Sequence, residues 1–359
     1  MKRIFLSMAA LALIFIACEG DKTAVNETSQ EAVDMSDFYV YTEGSADVTS
    51  KSTKSKEKLK TCYTMDVLNR QLSENPDLEK KMYDIEYHTR KFINAKGKPG
   101  GGTGGGGGGS NGETDIDVTP IQDGLGTINI PVYVHIVLPN TAVVSNSQIT
   151  SQINVLNSDF NSTNTNQLPA AATNFINDAT ITDINFTLAG TFRYEDPTAS
   201  WGTNNSIKSK YPPITPQTHL NIWVCNIGGG ILGYAQFPGG NLATDGVVLL
   251  YSSLPGGTSA PYNLGRTATH EVGHYLNLRH IWGDGRCRQD DFVTDTPTSD
   301  GANYGCPSYP TVNCSSTDMT MNYMDYTNDS CMYMFTDGQR NRMRAIFTSG
   351  GARSSMIGN

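Results

Sequence analysis

From residue 126 onward, the hydrophobic positions alternate between strand-like and helix-like patterns. Short apolar runs predict strands at residues 128–137, 183–190, 220–226 and 246–252. Apolar residues on one face at 147–160 predict a helix, and further helices are expected at 264–278 and 337–347. The fold class we predict is therefore α/β (α+β), with a mixed twisted sheet in an upper half, residues 126–280. A loop-rich lower half, residues 281–359, would lie across a cleft.

Upstream of residue 126 the pattern changes twice. Residues 19–60 are polar, with few large apolar side chains, and predict a disordered tether. Residues 61–96 carry apolar positions near helical spacing, and Pro76 separates a first helix from a second at 77–93. Residues 97–125 are a Gly-rich linker, too flexible to pack, and no strand, Lys-Ser/Thr pair or helix frames it as a phosphate loop.

The first 18 residues form a targeting segment. Lys2 and Arg3 precede an apolar core at 4–17, which is too short for a stable membrane span. The core ends in Phe15-Ile16-Ala17-Cys18, which resembles a bacterial lipobox with Cys18 as the lipidated residue. An ordinary signal peptide cut nearby is the alternative. Either way we expect an extracytoplasmic protein, secreted or held at the bacterial cell surface or outer membrane by a lipid anchor, where disulfides can form.

The charge balance bears on possible partners. The 359 residues contain 26 Lys and Arg against 35 Asp and Glu, a net charge of −9. Without a basic stripe, nucleic acid is not an expected partner. An acidic balance suits a secreted or surface protein that can bind calcium.

One stretch in the helix expected at 264–278 carries metal-binding chemistry. It reads H-E-x-x-H from His270 to His274, and His280 follows six residues later. Positions i and i+4 of a helix share a face, so His270 and His274 can direct both imidazoles at one point. Zinc binds neutral imidazole nitrogen, and a catalytic zinc site has three protein ligands and one open position. Glu271 would lie beside that point as a general base toward water.

The third histidine, His280, can reach the same point only if the helix ends before it. The long form of this motif has Gly three residues before the last His, because Gly accepts the left-handed conformation that ends a helix. Asn277 stands there in this chain, and Asn also tolerates that conformation. We therefore expect a turn at Asn277 with a small strain cost.

Further stretches carry a family resemblance. A Met-turn sequence, Asn322-Tyr323-Met324-Asp325-Tyr326, lies downstream of Thr269–His274, and two upstream runs lie at 220–226 and 232–238. Together they resemble the pappalysin family of metzincin zinc metalloproteases, in its cytophagalysin branch, over residues 127–345. Ile281 follows the third His, where matrixins, reprolysins and astacins tend to carry Ser, Asp and Glu.

The resemblance implies a zinc endopeptidase that acts on protein or peptide substrates and is expected to be a monomer. His270, His274 and His280 would hold the zinc, and Glu271 would be the base. Tyr326 would stabilise the oxyanion. Met324 would form an apolar base under the metal.

The cysteines are candidates for cross-links and for latency. Of seven, the last four surround the Met-turn, and the residues alone leave three pairings open. The resemblance implies the disulfides Cys287–Cys314 and Cys306–Cys331. It also implies that residues 61–96 are a prosegment, whose Cys62 thiolate would bind zinc and keep the enzyme latent. A buried Cys62, for example one paired with Cys225, is the alternative.

Two further sites are expected in the lower half. The resemblance suggests Asp291, Thr294 and Thr296 as a calcium site, the last two partly through their backbone carbonyls, with a hydrogen-bonded Asx-rich loop as the alternative. It also suggests that Asp329 floors the pocket for the residue after the cut bond, which implies cleavage before Arg or Lys. An exposed loop acid is the alternative for Asp329.

Two functions are consistent with these patterns. One is a secreted or surface-anchored zinc endopeptidase made as a latent proenzyme. The other is a noncatalytic surface binding protein on a metzincin scaffold. Such a degenerate copy would be expected to lose Glu271 or a histidine, and all four are present.

Overall fold

A five-stranded sheet forms the centre of the computed structural model, which describes residues 33–41, 62–96, 118–164 and 175–357. Its strand order is β2-β1-β3-β5-β4. Strands β2, β1, β3 and β5 are parallel, and the edge strand β4 is antiparallel to β5. The predicted mixed α/β fold class is confirmed. The strands are β1 (Ile128–Leu138), β2 (Ile184–Glu195), β3 (Leu220–Cys225), β4 (Gly233–Ala235) and β5 (Val247–Leu250).

Burial on both faces explains the apolar runs of the central strands. All six residues of β3 are buried, as expected for a parallel strand covered on both sides. Helix α3 (Asn146–Phe160) contacts strand β2, and helix α5 (Arg266–Tyr275) contacts strands β4 and β5. The two helices also contact each other. A capping box between Ser145 and Gln148 begins α3. The sheet and α3 thus fix the position of α5.

Most predicted bounds lie within a few residues of the structure, with two larger differences. Strand β2 continues to Glu195, five residues beyond the predicted end, because it pairs with β1 along that strand's whole length. Helix α5 ends at Tyr275 and not at 278. The cause is Asn277, whose φ of 76° is left-handed and cannot continue a right-handed helix.

The lower half has little regular structure. Its strands are two residues long, β6 (Tyr304–Gly305) pairing with β9 (Tyr326–Thr327) and β7 (Val312–Asn313) with β8 (Ser316–Thr317). The structure contains both disulfides that the resemblance implied, Cys287–Cys314 and Cys306–Cys331. A buried helix, α6 (Asp337–Ala345), ends this half. Covalent links and α6 therefore support loops that have no sheet of their own.

Two helices precede the sheet, and the short α4 (Ser206–Lys210) lies within its connections. Helix α1 (Thr64–Glu74) contacts the edge strand β4, and α2 (Asp77–Lys96) contacts α6. Met65, Leu68 and Leu72 of α1 join Val40 and Phe237 in a small apolar cluster. This region is thus packed onto the rest of the molecule along its length.

The expectation of a disordered tether at 19–60 is wrong for residues 33–41, which dock on the lower half. The single proton of the Tyr39 hydroxyl is shared between the carbonyl oxygens of Gly283 and Asp290, which lie 2.5 and 2.7 Å from the hydroxyl oxygen. The Arg279 guanidinium lies 4.3 Å from the centre of the Tyr39 ring and donates to the Tyr39 carbonyl. Phe38 stacks against Phe292. The polar composition of the segment led to a wrong prediction of disorder. A few aromatic residues are enough to order a short segment when the surface that they pack against is already folded.

Several expected features lie outside the described residues. These are the targeting segment with Cys18, the tether apart from 33–41, and the Gly-rich linker up to residue 117. Within the described ranges, none of the helices combines the length and apolar character needed to cross a bilayer.

Candidate active site

Three histidines converge at the C-terminal end of α5. His270 and His274 lie one turn apart, with their Nε2 atoms 3.1 Å from each other. The left-handed turn at Asn277 brings His280 back, so that its Nε2 lies 3.2 Å from that of His274. All three side chains are buried. The structure therefore brings together the three residues that the sequence predicted as ligands.

The other ring nitrogen of each histidine is hydrogen-bonded, which fixes the direction of the ring. Nδ1 of His270 lies 2.8 Å from the Tyr323 carbonyl, and Nδ1 of His274 lies 2.8 Å from the carbonyl of Leu278. Nδ1 of His280 lies 2.6 Å from Asp284 Oδ1. Since a neutral imidazole has one donor nitrogen and one acceptor nitrogen, these bonds leave three Nε2 lone pairs facing one another.

This donor set fits zinc. Burial, followed by electrostatic repulsion from an imidazolium charge at the neighbouring His280, lowers the pKa of His270 to about 3 and lowers that of His274 well below its usual value, which favours the neutral rings. Neutral imidazoles whose lone pairs converge in a buried site need a cation between them, and their Nδ1 bonds are those of metal-bound histidines. His270, His274 and His280 would hold the ion.

The Met-turn packs directly beneath this centre. A Cβ added to Gly273, between the two helical histidines, would lie 2.4 Å from the sulfur of Met324. Gly273 is therefore required for the close approach. Met324 is fully buried, and its carbonyl accepts from the backbone N–H of Ile281 at 3.5 Å. Met324 thus supports both the helix and the segment after His280 without offering an atom to the metal.

Two further groups border the histidines. Burial raises the pKa of the Glu271 carboxyl to about 8, although hydrogen bonds from Thr64 and Cys62 oppose the rise. Glu271 and His270 line one pocket together with Tyr326. The hydroxyl of Tyr326 lies 3.1 Å from Nε2 of His280. A carboxylate, a phenol and three imidazoles therefore share one buried site beside the edge strand β4.

Comparisons with known proteins agree with this geometry. The family model described as pregnancy-associated plasma protein-A, peptidase family M43, matches residues 210–348. An extracellular metalloprotease of Neurospora crassa is 33% identical over 253 residues, covering 66% of this chain and 80% of that protein. One from Podospora anserina is 36% identical over 241 residues, covering 62% and 74%.

Solved structures are also similar. Tannerella forsythia mature mirolysin, in complex with a cleaved peptide, is 44% identical with a TM-score of 0.61, covering 65% of this chain and 96% of that chain. A promirolysin mutant of the same organism is 37% identical with a TM-score of 0.66, covering 83% and 97%.

This chain belongs to peptidase family M43. It is a zinc metalloendopeptidase of the metzincin type, and the predicted pappalysin family is confirmed. The cytophagalysin branch stays a prediction. Its substrates are proteins or peptides.

In this M43 peptidase, Cys62 lies at the metal centre. Its sulfur is 3.5 Å from Nε2 of His274. One ligand atom from each of Cys62, His270, His274 and His280 lies within 4.8 Å of the others. Cys62 and Cys225 are both free thiols, and Cys225 belongs to a different apolar cluster. The structure therefore does not contain the alternative pairing of Cys62 with Cys225.

Asp329 is buried and lines the same pocket as Glu271. Its Oδ2 accepts the backbone N–H groups of Leu264 and Arg266, at 2.8 and 3.2 Å. Burial raises the pKa of the carboxyl to about 6, against the effect of these bonds and of the Arg266 charge. The alternative of an exposed loop acid does not hold, but the pocket also contains a cation, Arg266, that sequence reasoning missed.

Of the three calcium candidates, Asp291 and Thr296 are in contact through their side chains. Oδ1 of the buried Asp291 accepts from the Thr296 hydroxyl at 2.8 Å and from the Val293 N–H at 3.0 Å. Thr294 is exposed. Asp291 and Thr296 therefore form the hydrogen-bonded loop that was the alternative reading, and this arrangement leaves a calcium site untested.

Three contributing residues were missed for identifiable reasons. Asp284, which orients His280, lies four residues after it and could have been found by looking for an acid near each ligand. Thr64 contacts Glu271, and the only sequence signal for this contact is that Thr64 lies two residues after Cys62. Arg266 belongs to the same helix as the motif, but its proximity to Asp329 depends on a contact across 63 residues.

Proposed function

We propose that this chain is a secreted or surface-anchored zinc endopeptidase, made as a latent proenzyme, which cuts before Arg or Lys. The observation that carries the catalytic part is the convergence of three Nε2 lone pairs beside the carboxylate of Glu271.

The catalytic roles follow from the positions of the side chains. When bound, zinc supplies Lewis-acid activation of water and of the scissile carbonyl. Glu271 accepts a proton from the attacking water on its carboxylate and then donates it to the leaving amine. The Tyr326 hydroxyl donates a hydrogen bond to the oxygen on which negative charge develops. The free backbone groups of β4 hold an extended substrate as an added strand.

Cys62 accounts for latency in this proposal. Its sulfur lies close enough to the histidine nitrogens to take the position that the attacking water needs. The relatives support a prosegment, because promirolysin matches 83% of this chain and mature mirolysin 65%. The difference corresponds to an additional matched part, which we assign to residues 33–41 and 62–96.

Asp329 would set the preference for a basic residue after the cut bond. Its carboxylate lines the pocket next to Glu271 and can pair with an incoming Arg or Lys. Arg266 lines the same pocket and would weaken this preference, so we expect a bias toward Arg and Lys and not an absolute requirement.

A cut-site map tests the catalytic and specificity proposals together. The processed, zinc-loaded enzyme and its Glu271→Ala variant would be incubated with a mixed peptide library, and the cuts identified by mass spectrometry. We expect cuts before Arg and Lys that disappear in the variant. Asp329→Asn should flatten the preference, whereas Asp300→Asn, an exposed acid outside the pocket, should preserve it. A Glu271-dependent preference that Asp329→Asn leaves unchanged would remove the pocket role alone.

Calcium at Asp291 is proposed as a structural addition. Burial and the neighbouring charge of Asp290 raise the pKa of Asp291 well above its usual value. Among the described residues no Arg or Lys forms a salt bridge with it. A cation would relieve this buried acid. Adding calcium to calcium-free, zinc-loaded enzyme should raise the melting temperature, and Asp291→Asn should abolish that rise; equal melting curves would reject the site.

The location outside the cytoplasm is proposed from residues 1–18 and from relatives named as extracellular metalloproteases. Detergent-phase partitioning of the full chain tests the anchor. Lipidation predicts partitioning into the detergent phase that Cys18→Ser abolishes, while an aqueous wild-type protein would favour an ordinary signal peptide. We also propose a monomer, which light scattering of the processed enzyme can check.

A further inference from the structure

Thr64 contacts the catalytic base directly. Its hydroxyl donates to Oε2 of Glu271 at 2.6 Å and accepts the backbone N–H of Ala235 at 2.7 Å. The side chain is fully buried. We propose that Thr64 is a second inhibitory residue, which blocks the general base while Cys62 blocks the metal position. The inference rests on the proposed latency, but it concerns the general base Glu271 and not the metal position that Cys62 takes.

The hydrogen bond takes the position that catalysis requires. A general base must present a free carboxylate oxygen to the proton of the attacking water. Oε2 of Glu271 is occupied by the Thr64 hydroxyl, and Oε1 is buried without a hydrogen-bond partner among the described residues. At 2.6 Å the bond from Thr64 is a short O–H···O hydrogen bond, and both side chains are fully buried. A water molecule can reach Oε2 only if this bond between Thr64 and Glu271 is broken first.

The same hydroxyl closes the edge of the sheet. Strand β4 is an edge strand, whose free N–H and C=O groups can pair with an incoming peptide. Cys62 forms a parallel bridge with Gly233, and the N–H of Tyr63 donates to the Gly233 carbonyl at 3.1 Å. Thr64 then satisfies the next amide, that of Ala235. A Cβ on Gly233 would lie only 2.9 Å from Cγ of Glu271, so the strand passes close enough for one hydroxyl to reach both groups.

The two inhibitory residues adjoin each other but act through different atoms. The Cys62 sulfur lies 3.5 Å from His274 and accepts the backbone N–H of Thr64 at 3.4 Å, whereas the Thr64 hydroxyl bonds to Glu271 and Ala235. A change confined to the hydroxyl leaves the contact between the Thr64 N–H and the sulfur in place. Helix α1 begins at Thr64 and is held by its own buried residues, including Met65 and Leu68. Removing the hydroxyl should therefore free Glu271 without detaching the helix.

The test compares unprocessed full-length variants on a quenched peptide substrate. Thr64→Val keeps the shape and removes the hydroxyl, and Thr64→Ser keeps the hydroxyl. Because the Cys62 sulfur would still take the water position, both changes are made in a Cys62→Ala background. There, losing this buried hydrogen bond should raise the activity of the unprocessed Val variant, and its rate of self-processing, by about 10- to 100-fold. The Ser variant should resemble the Cys62→Ala parent. After processing, all variants yield the same catalytic domain, so their mature activities must agree.

A loosening control separates blocking from detachment. Leu68→Ala weakens the packing of α1 without touching a catalytic group, so its gain in activity should accompany a lower melting temperature. Thr64→Val should gain activity with little change in melting temperature. A gain that appears only with destabilisation equal to that of Leu68→Ala would overturn the blocking role.

Cys62→Ala identifies which proposal fails. If it activates the unprocessed chain and the added Thr64→Val gives no further rise, latency stands and the role of Thr64 is wrong. If Thr64→Val activates and Cys62→Ala does not, the inference stands without the thiol. If unprocessed wild type is as active as the processed enzyme, latency itself is wrong.

Discussion

The two halves of the site position their catalytic groups by different means. In the upper half, one regular helix between residues 266 and 275 carries His270, Glu271 and His274, and the sheet beneath holds that helix. In the lower half, Tyr326 reaches His280 from a two-residue strand. Two disulfides and a network of side-chain bonds hold the surrounding loops.

The polar network of the lower half replaces a sheet. Asn322 donates to Gln339 of α6 and accepts the N–H of Met324, while Asp325 accepts the N–H and the side-chain amide of Asn303. The bond between Asn322 and Met324 is local, but those to Gln339 and Asn303 join residues 17 and 22 positions apart. The upper half therefore tolerates loss of single contacts better, and the lower half depends on a few cross-links. Substitutions in each half test that difference.

His274→Ala should have the largest effect, because it removes the central ligand from the rigid half. The processed enzyme should lose its zinc, from about one ion per chain to almost none, together with its peptidase activity. Elemental analysis after dialysis measures the metal, and circular dichroism should show that the sheet is retained. Full zinc retention would contradict the assignment of the ligands.

Tyr326→Phe tests the lower half's contribution to chemistry. Loss of one donor to a developing oxyanion lowers kcat by about 10²- to 10³-fold, and KM should change little. Steady-state kinetics on a single peptide substrate give both constants. A rise in KM at constant kcat would mean that Tyr326 binds substrate and does not stabilise the transition state.

Removing the Cys306–Cys331 cross-link tests how far the lower half depends on covalent support. The double change Cys306→Ser with Cys331→Ser should lower the free energy of unfolding by about 2–4 kcal/mol. Denaturant titration of the full chain measures this loss. A fall below about 0.5 kcal/mol would imply that the side-chain network alone holds the loops.

Asp284→Asn tests the hydrogen bond that orients His280, the ligand at the boundary between the two halves. Because a partner that orients a metal-bound histidine typically contributes about 10- to 100-fold in metal affinity, zinc should bind more weakly by that factor. Competition with a chromogenic chelator provides the measurement. Unchanged affinity would show that stacking on Trp282, 4.3 Å away, orients His280 sufficiently.

The smallest effect is expected at the turn between the halves. Asn277→Ala should destabilise by about 1–2 kcal/mol, because its φ of 76° is left-handed. Asn277→Gly should be neutral or slightly stabilising, since Gly has no such cost. Thermal melting compares the pair; equal losses would attribute the effect to the Asn277 side chain and not to its backbone.

The same contrast explains what the sequence could predict. The spacing of His270, Glu271 and His274 is a local rule of helices, and apolar runs locate β1 and β3. The strand order cannot be read from such runs, because it depends on crossovers. The pairing of Thr64 with Glu271 and of Arg266 with Asp329 depends on contacts distant in sequence, for which a single chain carries no pattern. The order of residues 33–41 could not be predicted for a related reason, because it depends on the folded surface against which Tyr39 packs.

On the proposal that this chain is a latent proenzyme, the docking of Tyr39 on Arg279 has a consequence for the timing of activation. A cut between residues 96 and 118 would leave the inhibitory part attached by noncovalent contacts at both Tyr39 and Cys62. Before the cut, the inhibitor acts at a fixed effective concentration; after it, occupancy follows mass action and falls with dilution. After cleavage in a confined volume, most enzyme molecules would therefore still have the inhibitory part bound and be inactive. Dilution into a larger volume would let that part dissociate and the enzyme become active, without a second chemical step.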